Sequence, residues 1–230
     1  MTIFKPFNFK QINFRQPFTA LTFILLVLLI LPTTLLAHGV DDNTQQYLSN
    51  HQGVNVVAFL YFGAKHMVTG YDHLLFLVGV IFFLFKARDV VIYVSFFTLG
   101  HSITLLFGVL NQVNVNAYLI DAIIAFSIIY KAFDNLGGFK HYLGFQPNTK
   151  LAVLIFGLFH GFGLATKLLE FDFASVGLIE NLIAFNIGVE LGQFIALMFI
   201  LLLISLWRKH HSYLKFATST NTLLMCGGFM

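Results

Sequence analysis

Charged residues and cysteine are both scarce in this sequence. Only 10% of its 230 residues are charged and 58% are hydrophobic, whereas soluble domains carry about a quarter charged residues. The net charge of +3 is scattered over segment ends, which argues against a nucleic-acid-binding face. The single cysteine, Cys226, excludes a disulfide framework and a cysteine-ligated metal site. Apolar runs of about twenty residues instead predict an all-α fold, a polytopic bundle of transmembrane helices.

The N-terminal residues resemble an export signal. Lys5, Lys10 and Arg15 precede a long apolar run that ends in small residues at Ala37, the pattern of a signal peptide or of an uncleaved signal anchor. Cleavage after Ala37 is favoured. The predicted organisation is a signal at residues 1–37, an extracytoplasmic linker at 38–53, a membrane domain at 54–207 and a short polar cytoplasmic tail at 208–230.

About five spanning segments are predicted after the signal. The apolar residues from Val54 to Lys65 fit no separate span, because a further crossing would break the charge pattern. They are interpreted as a half-helix leading into the first span or as part of one long helix, with Gly70 as a possible bend. The first span begins well before Tyr71 and ends at Phe85; the others are about Val90–Leu110, Ala117–Phe133, Leu151–Leu169 and Gly177–Trp207.

Basic residues lie at alternate ends of these spans. Lys86 and Arg88 follow the first span, and Arg208 and Lys209 follow the last. Because cytoplasmic loops carry the excess of Lys and Arg, the mature N-terminus is predicted outside the cytoplasm and the C-terminus inside it.

Each predicted span carries polar or ionisable side chains. Such groups are costly inside a bilayer and usually face the interior of a helix bundle. In the order of the five spans, these side chains are His66, Asp72 and His73; His101, Ser102 and Thr104; Asp121 and Ser127; His160; and Asn186, Glu190 and Gln193.

Helical spacing predicts which of these residues face together. His66 and His73 are seven residues apart and share a helix face, whereas Asp72 points elsewhere and could orient an imidazole on a neighbouring helix. Asn186, Glu190 and Gln193 follow an i, i+4, i+7 pattern, which predicts one polar stripe. The estimated depths allow the whole set to converge on one site.

Several imidazoles with carboxylates suit a borderline divalent ion such as Ni²⁺ or Zn²⁺. Neither an HExxH motif nor the pattern of a structural zinc site is present, so the prediction depends on the set of residues. The predicted metal ligands are His66, Asp72, His73, His101, His160 and Glu190, with Asp121, Ser102, Asn186 and Gln193 in supporting positions.

Four stretches carry a family resemblance. "HMVTGYDHLLFLVGV", "FTLGHSIT", "FGLFHGFGLA" and "FNIGVELGQ" resemble, in this order, the second branch of the HupE/UreJ family of bacterial membrane proteins. The resemblance implies a nickel permease or a nickel-supply accessory, with a metalloenzyme maturation system as possible partner. It also implies that His66, Asp72 and His73, followed by His101, His160 and Glu190, are the matching motif positions.

The leading hypothesis is therefore a divalent-metal permease of the bacterial inner membrane. No ATP-binding motif is present, so the ion would move by facilitated diffusion or by coupling to an ion gradient. After cleavage, the α-amine and imidazole of His38 could capture the ion, although an ordinary polar linker is the simpler interpretation.

A rival hypothesis is a zinc-dependent intramembrane hydrolase. His73, His101 and His160 would then be ligands, Asp72 or Glu190 the base, and Ser102 an oxyanion donor. A third possibility is an accessory protein that binds metal without transporting it.

Overall fold

The computed structural model describes residues 53–169 and 177–229, and all regular structure in those residues is helical. The predicted signal, the linker and His38 lie outside the described residues. The helices are α1 (Val56–Thr69), α2 (Tyr71–Ile81), α3 (Ala87–Leu110), α4 (Ala117–Asn135), α5 (Gly138–Leu143), α6 (Thr149–Leu169), α7 (Leu178–Trp207) and α8 (Ser212–Gly227).

Three of these helices, α3, α6 and α7, are long and apolar enough to cross a membrane, and α1 and α2 are shorter apolar helices. Helices suit lipid because their backbone hydrogen bonds are satisfied within the segment. The predicted all-α membrane bundle is confirmed. α4 occupies the predicted third span but is not among the three long apolar helices, and it carries Asp121, Lys131 and Asp134.

The first predicted span is a helix broken in two. α1 ends at Thr69, and Gly70 has extended backbone angles (φ −69°, ψ 101°) before α2 begins at Tyr71. The backbone amide of Asn55, just before α1, donates to Asn181 Oδ1 at 2.7 Å, while Arg208 contacts the C-terminal end of α2. Together, α1 and α2 therefore extend along the length of α7, from its Asn181 end to its Arg208 end.

Two helix pairs approach closely through glycines. α3 packs on α6, where Cβ atoms built at Gly157 and Gly161 would lie 2.3 and 2.2 Å from carbonyl oxygens of α3. α1 packs on α7, where Cβ atoms built at Gly63 and Gly188 would each lie 2.0 Å from a carbonyl oxygen of the partner helix. Small residues allow membrane helices to pack backbone against backbone. As a result, side chains on facing helices meet at short range.

The C-terminal segment is more than the short polar end expected from the sequence. Residues 212–227 form α8, which buries Tyr213, Ala217, Asn221 and Leu224. Asn221 Oδ1 accepts a hydrogen bond of 2.9 Å from Asn135 Nδ2 on α4. Its polar character misled the interpretation, because hydroxyls such as that of Thr220 donate to carbonyls of their own helix and leave a buried apolar face.

Candidate metal centre

The break at Gly70 places three ionisable residues in the middle of the bundle. His66 lies in the last turn of α1, and Asp72 and His73 lie in the first turn of α2. His66 is about 15 Å along the helix from the start of α1, given a rise of about 1.5 Å per residue. Asp72 and His73 are each only 2% exposed. The carboxylate of Asp72 also complements the positive end of the α2 dipole.

α3 and α6 bring two further imidazoles to the same place. His101 on α3 is 0% exposed and His160 on α6 is 1% exposed. The ring centroid of His73 lies 5.1 Å from that of His66, 6.0 Å from that of His101 and 4.9 Å from that of His160. These four histidines and Asp72 form what is called here the histidine cluster.

The potential ligand atoms fall into two overlapping groups. His66, His73 and His101 form one group, and Asp72, His73 and His160 form the other; within each group the ligand atoms lie within 4.8 Å of one another. Ligands at about 2.0–2.1 Å from a common ion lie at most about 4 Å apart, so shifts of about 1 Å would complete a shell. His73 belongs to both groups and is the centre of the cluster.

Asp72 contacts the imidazole next to it in the chain. Its Oδ2 atom lies 3.0 Å from His73 Nδ1 and 3.9 Å from His160 Nδ1. The expectation that Asp72 points away from His73 is wrong, because the two residues lie in the first turn of a new helix. Its nearness to His160 agrees with the expected approach to a neighbouring helix, although 3.9 Å exceeds hydrogen-bond length.

His101 stands out by its bonding. Among residues 53–169 and 177–229, neither of its ring nitrogens has a hydrogen-bond partner, and both nitrogens are buried. An unsatisfied buried polar group costs about 1–3 kcal/mol. The nearby group of His66, His73 and His101 offers a reason for this cost, since a bound cation would take up a ring nitrogen.

Ser127 on α4 lies beside the cluster. Its hydroxyl donates to the carbonyl of Ile124 at 2.6 Å, and its Oγ lies 3.4 Å from His160 Nε2. Ser127 was one of the polar residues of the predicted third span but was not assigned to the site.

The predicted polar stripe on α7 divides in the structure. Gln193 is buried, Asn186 is half-buried and Glu190 is exposed. Glu190 is in neither ligand group of the described residues, so its predicted role as a ligand has no geometric support. The three residues do not share one environment, because Gln193 faces Thr98 on α3 whereas Glu190 is exposed.

Two other predicted supporting residues, Asp121 and Ser102, have more exposed surroundings than the histidines of α3 and α6. Asp121 has a side chain that is 33% exposed, and its Oδ1 lies 3.8 Å from Lys167 Nζ. Ser102 is half-buried on α3. Asp121 belongs to neither ligand group of the described part of the chain.

Sequence reasoning missed a layer of aromatic rings on the Arg208 side of the cluster. Phe76, Phe97 and Phe156 precede or follow a cluster residue of their own helix by three or four positions, which is one helical turn. The Phe76 ring centroid lies 5.2 Å from that of Phe97 and 6.0 Å from that of Phe156, and Phe97 lies 5.0 Å from His160. The repeated offset of one turn was a signal that could have found this aromatic layer.

The family model described as HupE / UreJ protein matches residues 42–230, which include all the helices described above. No curated protein matches the chain, and no solved structure matches it. Because the family model covers most of the sequence, the chain belongs to the HupE/UreJ family.

Proposed function

We propose that this protein is a permease for a divalent transition-metal ion of the nickel type. The observation that carries the proposal is the convergence of four imidazoles and one carboxylate at a buried point midway along the bundle. Membership of the HupE/UreJ family points in the same direction, since the family suggests metal transport or an accessory role in metal supply.

The donor set selects for a class of ion. Imidazole nitrogens with one carboxylate suit Ni²⁺, Zn²⁺ or Cu²⁺, whereas Mg²⁺ and Ca²⁺ prefer oxygen ligands. Asp72, 3.0 Å from His73 Nδ1, can accept that N–H and leave the opposite ring nitrogen for the ion. A carboxylate in this position fixes the ring and raises its basicity.

The broken helix supports transport. Transporters bind ions near the bilayer midplane, typically at discontinuous helices, and α1 and α2 are separated at Gly70 beside His66 and Asp72. Passage requires binding that is weak enough for release. With no ATP-binding motif in the sequence, we assign facilitated diffusion or coupling to an ion gradient.

The distribution of basic residues gives the orientation of this proposal. Three basic residues lie at the Arg208 end: Lys86 between α2 and α3, Arg88 in the first turn of α3, and Lys209 after α7. That end would therefore face the cytoplasm by the positive-inside rule. The ion would then enter from the periplasmic side of the bacterial inner membrane, where His38 could first capture it.

Uptake of Ni²⁺ into proteoliposomes tests the proposal. His73→Ala removes the ligand that both groups share and should abolish uptake, whereas His210→Ala, an exposed histidine outside the cluster, should leave uptake unchanged. Normal uptake by His73→Ala would remove the cluster from the path, and no uptake by the intact protein would refute the permease.

A zinc-dependent intramembrane hydrolase is the second candidate. Asp72, His73 and His160 resemble a catalytic zinc site with three protein ligands and an open position for water, and the aromatic layer closes the cluster on one side. Tightly held Zn²⁺ in the purified protein without any Ni²⁺ flux would favour this candidate or a non-transporting accessory. Hydrolysis of a peptide or lipid substrate would separate the two.

A further inference from the structure

A small cavity lies against the histidine cluster, on the side of the aromatic layer. The residues that line it include His73, Gln193, Tyr93 and Val153. Tyr93 lies six residues from the start of α3 and Val153 four residues from the start of α6, and both helices begin at the Arg208 end. The cavity therefore begins at a cluster ligand and extends toward the side on which a transported ion would leave.

Gln193 is a polar side chain that lines this cavity between the histidine cluster and the Arg208 end. Its Oε1 accepts a hydrogen bond of 2.5 Å from Thr98 Oγ1 on α3. The residue is only 3% exposed, and its Nε2 has no hydrogen-bond partner among the described residues. An amide that serves only to join two helices would not be expected to leave one buried end unsatisfied, since that end costs about 1–3 kcal/mol.

Thr98 can release the amide oxygen of Gln193. Its hydroxyl also lies 3.0 Å from the carbonyl of Val94, one turn earlier in α3, and a hydroxyl has only one hydrogen to donate. When that hydrogen goes to Val94, the oxygen of Gln193 is free to face the cavity. An amide oxygen is a ligand for a divalent cation, and a neutral one binds more weakly than a carboxylate.

The position of this pair fits a step after the cluster. Thr98 precedes His101 by three residues on α3, so it lies about 4.5 Å nearer the Arg208 end along the helix axis. The rings of Phe76 and Phe97, with centroids 5.2 Å apart, also line the cavity beside His73. An ion that leaves His73 in this direction meets these rings and the amide of Gln193.

We infer that Gln193, positioned by Thr98, is the ligand that receives the ion from the histidine cluster, and that Phe76 and Phe97 form the constriction between them. This inference rests on the proposed permease function. It assigns a relay role, so Gln193 contributes to transfer through the bundle and not to the resting affinity of the cluster.

The test separates flux from binding, with Ni²⁺ alone as the probe. Gln193→Met keeps a similar side-chain volume and removes the amide, and Thr98→Val removes the hydroxyl. Both should lower Ni²⁺ uptake into proteoliposomes, by on the order of tenfold for Gln193→Met, as for other groups outside the main ligand shell. Equilibrium binding in detergent should stay within about twofold of that of the intact protein.

Thr166→Val is the matched control. Thr166 is also buried and donates to a carbonyl four residues earlier in its own helix, but it does not line the cavity. Ni²⁺ uptake by the Thr166→Val variant should equal that of the intact protein.

Three results would overturn the inference. Unchanged uptake by both variants would remove Gln193 from the path and leave the proposed function standing. If Gln193→Met lost both equilibrium binding and uptake of Ni²⁺, Gln193 would be part of the resting site. If Thr166→Val lost as much uptake as Gln193→Met, the effect would be structural. Absence of uptake by the intact protein would instead refute the permease on which the inference rests.

Discussion

Replacing Gly161 by alanine should disturb the histidine cluster without replacing any of its residues. Gly161 lies on α6 next to His160, where α3 and α6 are in backbone contact. An added Cβ would lie 2.2 Å from the carbonyl oxygen of His101 and 2.2 Å from Thr104 Oγ1. Since non-bonded atoms need separations of about 3.5 Å, the two helices must move apart by about 1 Å.

The size of this movement gives two expected losses. Forcing one methyl group into a packed interface costs about 1–3 kcal/mol of folding free energy. The same movement separates His101 on α3 from His160 on α6. These two histidines belong to different ligand groups, and both groups include His73. Because the ligand atoms must approach one another to share an ion, helices held about 1 Å farther apart oppose that approach, and we expect Ni²⁺ binding to weaken about tenfold, or by about 1.4 kcal/mol.

Calorimetric titration of the purified protein with Ni²⁺ and thermal unfolding in detergent measure the two losses. Gly79→Ala is the control, because a Cβ there meets only the side chains of Leu224 and Lys131 at 3.0 Å or more, which can shift by a few tenths of an ångström. Wild-type affinity in Gly161→Ala at an unchanged melting temperature would refute the reasoning that close packing of α3 on α6 positions the ligands.

Two further substitutions test contacts at the Arg208 end. Arg208 donates to two carbonyls at the end of α2, each at 2.7 Å, so Arg208→Leu should lower the free energy of unfolding by about 1.5–3 kcal/mol, measured by denaturant titration, while Lys209→Leu at an exposed position should not. Lys131 and Asp134 form an ion pair of 2.6 Å between largely buried side chains. Because Asp134 would keep the hydrogen bond from Gln146 Nε2, Lys131→Met alone should cost about 1–3 kcal/mol. Adding Asp134→Asn should recover part of that loss, and a larger loss in the double variant would contradict the assignment.

The positions of the long helices could be predicted because hydropathy alone determines them. The predicted spans Val90–Leu110 and Leu151–Leu169 differ from α3 and α6 by three residues or fewer at each end. Apolar length is a strong signal, because lipid forces each crossing to satisfy its own backbone. Hydropathy could not predict α8, because this segment has several hydroxyl-bearing residues and no long apolar run. Its helix depends on tertiary packing against α4 and α2.

The histidine cluster could be predicted in membership but only partly in geometry. The cost of burying ionisable groups in a bilayer was enough to select His66, Asp72, His73, His101 and His160. The same rule gave the wrong environment for Glu190, which is exposed on α7. Helical periodicity places residues on faces, but it does not say which face of α7 packs on α1, and that choice is made by its glycines.

The break at Gly70 accounts for the closeness that periodicity could not predict. In one continuous helix, His66 and His73 would be separated by about 10.5 Å along the axis, yet their ring centroids lie 5.1 Å apart. Gly70 allows this approach because a Cβ there would lie 2.8 Å from His73 Nδ1 and 2.9 Å from the carbonyl of His66. The absent side chain thus lets the end of α1 and the start of α2 close around the same point. A helix interruption that is costly in lipid thereby supplies two imidazoles and a carboxylate to one buried site.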